Sequence, residues 1–489
     1  MPAAITSLTD EALIALDNVA DTTRHLFSPT VRFGVTGLSR AGKTVFITAM
    51  VHNLVHGGRL PLFEPFSSGR IASAALKPQP DMDVPRFQYE DHVEALLEDR
   101  IWPRSTRAIS ELRLTIHYES ASAFSRRFGP GALNIDFVDY PGEWLLDLPL
   151  LGMDFDQWSR QALALSRLPD RAKLAREWHA ALEKHDPARE ADEAIARELA
   201  ERFTTYLRAC REDRTALSTL PPGRFLMPGD LEGSPALTFS PLDLEDGAQS
   251  KSASLHAMMA ERFDAYKSVV VKPFFRHHFA RLDRQIVLVD ILQAINAGPE
   301  AIADLETALA GILDCFRPGK ASWLAPLIGR RIDRILLAAT KADHLHHENH
   351  DRLQALLRQL VANAVSRASF SGAAVDVIAM SAIRATSEAI LKEKGEDIPV
   401  IVGTPMKGET IAGRTFDGNT KTAIFPGDLP SDPARFIARP DRQAKDYPDL
   451  QFVRFKPPEL ERNEAGATLS LPHIRLDRAL QFLFADRLA

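Results

Sequence analysis

Cysteine is scarce in this sequence: only Cys210 and Cys315 occur among 489 residues. The two lie far apart and outside any spacing that metal-binding cysteines use, so the sequence predicts neither a disulfide framework nor a zinc–thiolate site. This composition is typical of a protein in a reducing compartment, and we therefore expect a cytoplasmic location.

An excess of basic residues is also lacking. Lysine and arginine total 59 against 65 aspartates and glutamates, which gives a formal net charge of −6 and an isoelectric point near 6.2. A general nucleic-acid binder usually has the opposite balance, so no nucleic-acid partner is expected. Hydrophobic residues at 45% and charged residues at 25% are ordinary values, and they argue against a disordered or fibrous chain.

Long apolar runs are missing as well. No segment reaches the roughly 18 uninterrupted apolar residues of a membrane span, and residues 1–10 do not resemble a secretory signal. Any contact with a membrane or a membrane protein is therefore expected to be peripheral. One apolar stripe near the end of the chain could enter a bilayer surface, but its opposite face has no basic excess, so we interpret it as docking on the core. The stripe consists of Leu476, Leu480, Leu483, Phe484 and Leu488.

Apolar segments that alternate with helical patterns predict an α/β fold, a three-layer sandwich with a mostly parallel sheet. Strands are predicted near 31–36, 112–118, 133–139, 285–290, 335–339 and 375–380. The length favours more than one structural unit. We expect an N-terminal helix in 1–29, a nucleotide-binding domain in 30–144 and 283–394, a helical insertion in 145–282, and a β-rich C-terminal extension in 395–489. Residues 57–105, rich in Pro, Gly, Ser and charge, are predicted to be an insertion or a mobile loop.

The strongest motif follows the first predicted strand. Gly37, four residues, then Gly42-Lys43-Thr44 match the P-loop pattern, between a strand and a helix as that pattern requires. Glycines let backbone N–H groups turn towards phosphates, the lysine reaches the β and γ phosphates, and the threonine can bind Mg²⁺. The predicted nucleotide contacts here are Gly37, Ser39, Arg40, Ala41, Gly42, Lys43, Thr44 and Val45.

A second motif, Asp139-Tyr140-Pro141-Gly142, ends another apolar strand. Nucleotide hydrolases place a Mg²⁺-linked aspartate and a γ-phosphate-sensing glycine amide in this way. We therefore predict Asp139 as a second magnesium ligand beside Thr44, and Gly142 as a phosphate contact.

The third motif, Thr340-Lys341-Ala342-Asp343, follows a later strand and selects the base. A carboxylate at Asp343 can accept hydrogen bonds from guanine N1–H and the exocyclic amine, whereas adenine lacks this pair of donors. Ser381-Ala382-Ile383, after the last predicted strand, would supply a backbone contact to the guanine oxygen. These residues predict a guanine rather than an adenine nucleotide.

The order of these motifs is that of the translation-factor-related GTPases. The wider pattern, GLSRAGKT with DYPGEWLLDLPLL, VDILQAINAG and ATKADHL, closely resembles the YcjX-like family of bacterial stress-associated P-loop GTPases over nearly the whole chain. The resemblance implies a protein that binds GTP with Mg²⁺, hydrolyses it slowly, has a helical insertion in the G domain, and takes part in a stress response.

Two residues depart from small GTPases. Glu143 stands where a small GTPase orients the attacking water with glutamine; it either contacts other switch residues, with slow hydrolysis, or acts through water as a base. Arg40 lies inside the P-loop, where it either supplies charge near the β–γ bridge, as an arginine finger in cis would, or faces outward and pairs with a switch carboxylate. Both stay candidate catalytic residues with Lys43.

The threonine that closes on Mg²⁺ in the triphosphate state is expected before the second predicted strand. Thr106 is our candidate catalytic and magnesium-binding residue there, with Ser105 next. After the guanine motif come His344, His346, His347 and His350. His346 and His350 stand four apart, a spacing that metal sites use, but no Asp, Glu or Cys completes a set with them convincingly, so we interpret the four histidines as a solvated helix start.

The sequence thus predicts a GTPase that acts as a conformational switch on a protein effector. The sequence does not identify this effector. Two alternatives remain: an ATP-dependent P-loop enzyme, which the guanine motif disfavours, and a nucleotide-stabilised scaffold or membrane-peripheral interaction protein with negligible turnover. Pathway and oligomeric state are not indicated by any of these residues.

Overall fold

The six strands that the sequence predicts from its apolar runs are all present in the structure. A computed structural model describes residues 29–37, 41–104, 108–122, 131–212, 221–228, 231–245, 251–314, 332–362, 373–393, 395–411, 413–438, 448, 450–460 and 470–489. Its strands are β1 (Thr30–Gly37), β2 (Ile71–Lys77), β3 (Ser110–Tyr118), β4 (Gly131–Asp139), β5 (Arg284–Val289), β6 (Arg334–Ala339), β7 (Ala374–Ala379), β8 (Ser387–Glu393), β9 (Glu396–Gly403), β10 (Thr410–Ile411), β11 (Arg414–Thr415) and β12 (Thr422–Ile424).

Helices fill most of the intervals between these strands. They are α1 (Lys43–Val55), α2 (Glu64–Ser67), α3 (Tyr89–Leu97), α4 (Phe155–Ser166), α5 (Pro169–Leu182), α6 (Glu193–Glu212), α7 (Gly223–Leu226), α8 (Leu255–Tyr266), α9 (Lys272–His277), α10 (Ile291–Ala297), α11 (Pro299–Asp314), α12 (His350–Leu360), α13 (Pro433–Ala438) and α14 (Leu476–Phe484). A π-helical turn, Lys267–Val271, joins α8 to α9, and 3₁₀ helices cover Gly142–Gly152, Pro235–Leu237, Phe279–Arg281, Ala342–His344, His347–Asn349 and Ala485–Arg487.

The chain divides into two compact units. The first, which we call the sheet unit, contains the described residues within 20–140, 282–296 and 331–489; the second, the helical unit, contains the described residues within 141–281 and 297–330. The sheet unit has a seven-stranded sheet in the order β2-β3-β4-β1-β5-β6-β7. Strands β4, β1, β5, β6 and β7 are parallel to their neighbours in that list, and β2 and β3 are antiparallel.

The core of the sheet unit explains why its strands are continuously apolar. Every residue of β5 is buried, as are the apolar residues of β1, because helices cover both faces of a parallel sheet. The fold is therefore α/β with a mostly parallel sheet, as in a P-loop GTPase. A smaller antiparallel sheet, β12-β9-β8, belongs to the same unit.

The structure differs from the prediction of a mobile loop in residues 57–105. They do not form a structureless loop, because β2 adds an antiparallel edge to the main sheet and α2 and α3 flank it. The strand was missed because its sequence, IASAALK, contains three alanines, which are depleted in strands. The N-terminal helix predicted before residue 29 lies outside the described residues.

The apolar stripe near the end of the chain docks on the sheet unit, as predicted. Leu476, Leu480, Leu483, Phe484 and Leu488 are each fully buried. The ring of Phe484 packs edge-on against Phe33 of β1, with centroids 5.1 Å apart. This stripe is therefore not available to a bilayer. Among the described residues, no helix combines the length and apolarity needed to cross a membrane.

The helical unit has a core of aromatic rings. Trp158 of α4 stacks on Phe263 of α8 with ring centroids 4.9 Å apart, and Trp178 of α5 stacks on Tyr206 of α6 at 5.3 Å. Asp154 begins α4 with a capping box, in which its side chain accepts the N–H of Gln157 and the Gln157 side chain accepts the N–H of Asp154. The unit thus has a core of its own.

Candidate functional site

The predicted motifs of the sheet unit meet at one edge. Gly37 ends β1, Asp139 ends β4, Asp290 follows β5, Thr340 follows β6 and Ser381 lies just after β7. These strands are parallel and in register, so their carboxyl ends lie side by side. The chain moves to one side of β1 after that strand and to the other side after β4, and such a reversal point is where open α/β sheets bind ligands.

The described part of the P-loop has the backbone that phosphate binding needs. Gly42 adopts a left-handed conformation with φ of 89°, which other residues rarely adopt, and it begins α1 by accepting the N–H of Phe46. The ammonium of Lys43 donates to the carbonyl of Gly37 at 3.0 Å. Ala41 is buried, and Val45 packs on the core. Ser39 and Arg40 lie outside the described residues.

The predicted magnesium ligands lie near the start of α1. Asp139 is 2% exposed at the end of β4, beside β1. The Thr44 hydroxyl donates to the carbonyl of Arg104 over 3.5 Å, which brings the chain just before the predicted switch threonine to this site. Thr106 and Ser105 lie outside the described residues. The acidic and hydroxyl oxygens present are the ligand type that Mg²⁺ prefers.

The guanine motif has a strained and well-connected backbone. Lys341 has φ of 61°, an uncommon value for a residue other than glycine, and its ammonium pairs with Asp290. Thr340 donates its N–H to the carbonyl of Val289 at 2.9 Å. Asp290 therefore has a defined partner: it orients the motif lysine, and its other oxygen accepts the N–H of Gln293.

The carboxylate predicted to select the base, Asp343, is buried and fixed. One oxygen of Asp343 accepts the N–H of Ala385 at 2.9 Å, and its carbonyl accepts the hydroxyl of Thr386 at 2.5 Å. Asp343 is 4% exposed. Ser381 donates its hydroxyl to the carbonyl of Ile383 at 2.8 Å, closing the turn that also contains Ala382. The structure thus brings Asp343 and the Ser381-Ala382-Ile383 turn together, with Ala385 as a contact that the sequence did not indicate.

A segment near the end of the chain connects α1, the helix after the P-loop, to the turn at Ser381-Ala382-Ile383. The side chain of Asn53, in α1, donates to the carbonyl of Leu471 at 3.1 Å and accepts its N–H at 2.8 Å. Three residues later Ile474 exchanges two backbone hydrogen bonds with Ser381, at 3.0 and 2.9 Å. Asn53 is fully buried. No sequence signal could have found this connection, because the partners are about 90 to 420 positions apart.

Gly142 and Glu143 lie in the helical unit, at the start of the 3₁₀ helix Gly142–Gly152. Glu143 forms an ion pair with Arg211 of α6, with 2.9 Å between the oxygen and the nitrogen. A Cβ added to Gly223 would lie 1.9 Å from the carbonyl oxygen of Glu143, so the close approach of α7 requires glycine there. The carboxylate of Glu143 is therefore held within the helical unit by Arg211.

The rest of the 3₁₀ helix has similar restraints. Asp147 accepts the N–H of Gly223 at 2.7 Å and the hydroxyl of Tyr266 at 2.6 Å. Burial nevertheless raises the pKa of Asp147 to about 6. The guanidinium of Arg224 lies 3.3 Å from the ring centroid of Trp144. Helices α6, α7 and α8 thus all contact the segment that follows the second motif.

The histidines after the guanine motif were misinterpreted. His346 and His350 are buried, so they do not form a solvated helix start. His350 donates from Nε2 to the carbonyl of Ala342 at 2.9 Å, and burial lowers its pKa. Only His347 of the four is well exposed. Tertiary packing, which a run of polar letters does not indicate, decides this burial.

Comparisons with known proteins found a matching family model and similar proteins. The sequence model of the YcjX-like family, DUF463, matches residues 31–488. A protein named Ras-like GTPase YcjX from Escherichia coli strain K12 is 39% identical over 476 residues, covering 95% of this chain and 96% of that protein. A protein of the same name from Shewanella oneidensis is 33% identical over 501 residues, covering 98% of each.

Proposed function

Because the chain belongs to the YcjX-like family, we propose that this GTPase-like protein binds GTP with Mg²⁺, hydrolyses it to GDP and phosphate, and acts as a nucleotide-dependent conformational switch. One observation carries the proposal. Lys43 and Asp343 follow parallel strands whose carboxyl ends share one edge of the sheet, so a polyphosphate and a purine can be bound together.

Phosphate and magnesium binding are assigned to the first two motifs. Backbone groups of Gly37 to Thr44 would surround the phosphates, and Lys43 would leave the carbonyl of Gly37 to reach the β and γ oxygens. Thr44 and Asp139 would hold Mg²⁺, which would supply positive charge to offset the negative charge of the phosphate oxygens. Thr106 would complete the magnesium site in the triphosphate state; the contact between Thr44 and Arg104 supports this, because Arg104 lies two positions before it.

Guanine selection is assigned to Asp343. The N–H of Ala385 and the hydroxyl of Thr386 fix this residue before the base arrives, so little side-chain ordering remains to be done on binding. Lys341, held by Asp290, would lie along the base with its aliphatic stem. The turn Ser381-Ala382-Ile383 would donate a backbone N–H to the guanine oxygen.

The switch would act through the chain that follows Asp139. Gly142, the proposed γ-phosphate contact, begins the 3₁₀ helix that Arg211, Gly223, Arg224 and Tyr266 hold inside the helical unit. Loss of the γ-phosphate would release Gly142, and the movement would reach α6, α7 and α8 through these contacts. The helical unit is therefore the proposed reporter of nucleotide state to a protein effector.

Hydrolysis is proposed to be slow because Arg211 holds Glu143. A carboxylate that is neutralised by a guanidinium is a weak general base and is not free to orient water. Arg40 stays a candidate for either of two roles, as a source of positive charge near the β–γ bridge or as an outward-facing partner of a switch carboxylate. A stress-related task and a cytoplasmic location, with peripheral membrane contact left open, are the physiological part of the proposal.

Single-turnover hydrolysis of GTP with Mg²⁺ tests this function. We expect slow, magnesium-dependent product formation by the native protein. Arg211→Ala should raise the rate on the order of tenfold, because the freed Glu143 can then act through water, and this gain should vanish in Arg211→Ala with Glu143→Ala.

Arg202→Ala is the matched control, since Arg202 is on the same helix and pairs with the exposed Glu177. No hydrolysis by native protein saturated with GTP would favour the scaffold alternative. Equal rates for Arg211→Ala and Arg202→Ala would contradict the restraint on Glu143.

A further inference from the structure

Two histidines and a glutamate converge a few positions after the base-selecting aspartate. One ring nitrogen of His346, one of His347 and one carboxylate oxygen of Glu348 all lie within 4.8 Å of one another. The ring centroids of the two histidines are 4.3 Å apart. Donor atoms bound to one tetrahedral zinc ion are roughly 3.4 Å apart, so only small side-chain movements would bring these three onto one ion.

The buried histidine provides an independent indication. His346 is 3% exposed, yet in the described part of the chain its Nδ1 has no hydrogen-bond partner. The atom lies 3.8 Å from a carboxylate oxygen of Glu348, too far for a hydrogen bond but close to the separation of two ligands on one metal. A buried ring nitrogen directed at a carboxylate in this way is suited to hold a cation between them.

Glu388, at the start of β8, lies beside both histidines. Its Oε2 lies 2.5 Å from Nδ1 of His347 and 3.9 Å from Nε2 of His346. Metal-binding histidines usually donate their second N–H to a carboxylate, which fixes the ring and its tautomer. Glu388 can fix the ring of His347 in this way, whereas its distance to His346 is too long for a hydrogen bond. Arg384 holds the other oxygen of Glu388 at 2.9 Å.

We propose that His346, His347 and Glu348 form a site for a divalent transition metal, with zinc the best match, and that Glu388 orients the imidazole of His347. Two imidazoles and one carboxylate suit Zn²⁺ and not Mg²⁺, which prefers oxygen ligands throughout. With three protein ligands, a fourth position remains for water. The site is distinct from the proposed Mg²⁺ site at Thr44 and Asp139.

The position of the cluster gives it a consequence for guanine binding, and this part rests on the proposed function. Glu388 follows Ala385 and Thr386, which hold Asp343 through its side chain and its carbonyl. A metal bound by His346, His347 and Glu348, with Glu388 hydrogen-bonded to His347, would tie the two chain segments together. Metal loading should therefore tighten guanine-nucleotide binding, on the order of fivefold.

Calorimetric titration of Zn²⁺ into untagged, chelator-treated, nucleotide-free protein tests the site. We expect saturable binding of about one equivalent, insensitive to millimolar Mg²⁺, and a visible absorption band typical of four-coordinate Co²⁺ when cobalt replaces zinc. His347→Ala and Glu348→Gln should each weaken zinc binding at least about tenfold. Both side chains are 63% exposed, so these variants should fold.

His117→Ala, on the exposed face of β3, is the control and should bind zinc like the native protein. Absence of saturable zinc binding, or equal binding by native protein and both site variants, would overturn the site. The titration needs no nucleotide, so its outcome is separate from that of the GTPase proposal. If the GDP affinities of zinc-loaded and metal-free protein are equal, the link to Asp343 is refuted.

Discussion

Asp343→Asn is expected to weaken GDP and GTP binding by roughly 100-fold. The asparagine still offers an oxygen to the N–H of Ala385, so the turn should remain, but the two charge-assisted hydrogen bonds to guanine are lost. Hydrogen bonds to a charged group contribute about 1.5 to 3 kcal/mol each, so the loss should be at least about 3 kcal/mol. Equilibrium titration with fluorescent GDP would measure it.

Xanthine nucleotides separate a lost base contact from a damaged fold. Xanthine has a carbonyl in place of the exocyclic amine of guanine, and the amide of asparagine can donate to it. XDP should therefore bind Asp343→Asn more tightly than GDP does. Asp397→Asn, exposed on β9, should bind GDP normally. Unchanged GDP affinity in Asp343→Asn would mean that this aspartate does not contact the base.

Lys43→Ala should have a comparable effect through the other end of the nucleotide. Removal of the ammonium leaves the β and γ phosphates without their nearest side-chain cation, which should weaken GTP binding by roughly 100-fold and nearly abolish single-turnover hydrolysis. Stability should change little, since Lys43 is bonded only to the carbonyl of Gly37 among the contacts described for it.

The two variants should fail in different ways. Lys43→Ala should keep its preference for guanine over adenine, because Asp343 is intact, whereas Asp343→Asn should lose that preference. Lys77→Ala, at the exposed end of β2, is the matched control. Normal hydrolysis by Lys43→Ala at saturating GTP would contradict the assignment of the P-loop.

The parallel strands were predictable because their cause is local. A strand covered by helices on both faces must be apolar throughout, and segments such as RQIVLV and RILLAA meet that condition. The edge strand β2 is different. It is partly exposed and rich in alanine, so its sequence does not distinguish it from a loop or a helix.

The candidate site was predictable as far as its motifs extend. The roles proposed for Gly42, Lys43 and Asp343 follow from residue type and spacing, and each residue lies at the sheet edge where its proposed role requires it. The residues that hold the candidate site residues in place were not predictable. Arg211, which holds Glu143, and Ala385, which holds Asp343, are brought there by chain segments dozens of positions away, and no pattern in the sequence records such contacts.

One backbone conformation in the guanine motif could not be predicted from residue type. Lys341 is left-handed, although lysine has no preference for that conformation. The strain persists because Asp290 holds the lysine side chain and the backbone of Thr340 is bonded to Val289. Long-range contacts of this kind position the guanine motif, so its geometry could be known only from the fold.

The central claim is that one edge of the sheet binds a polyphosphate and selects guanine. Calorimetric titration of nucleotide-free protein with GDP and ADP, in the presence of Mg²⁺, tests it most directly. The account predicts that GDP binds roughly 100-fold more tightly than ADP, from the two hydrogen bonds that only guanine offers to Asp343. Equal affinities for the two nucleotides in protein with intact Lys43 and Asp343 would contradict it.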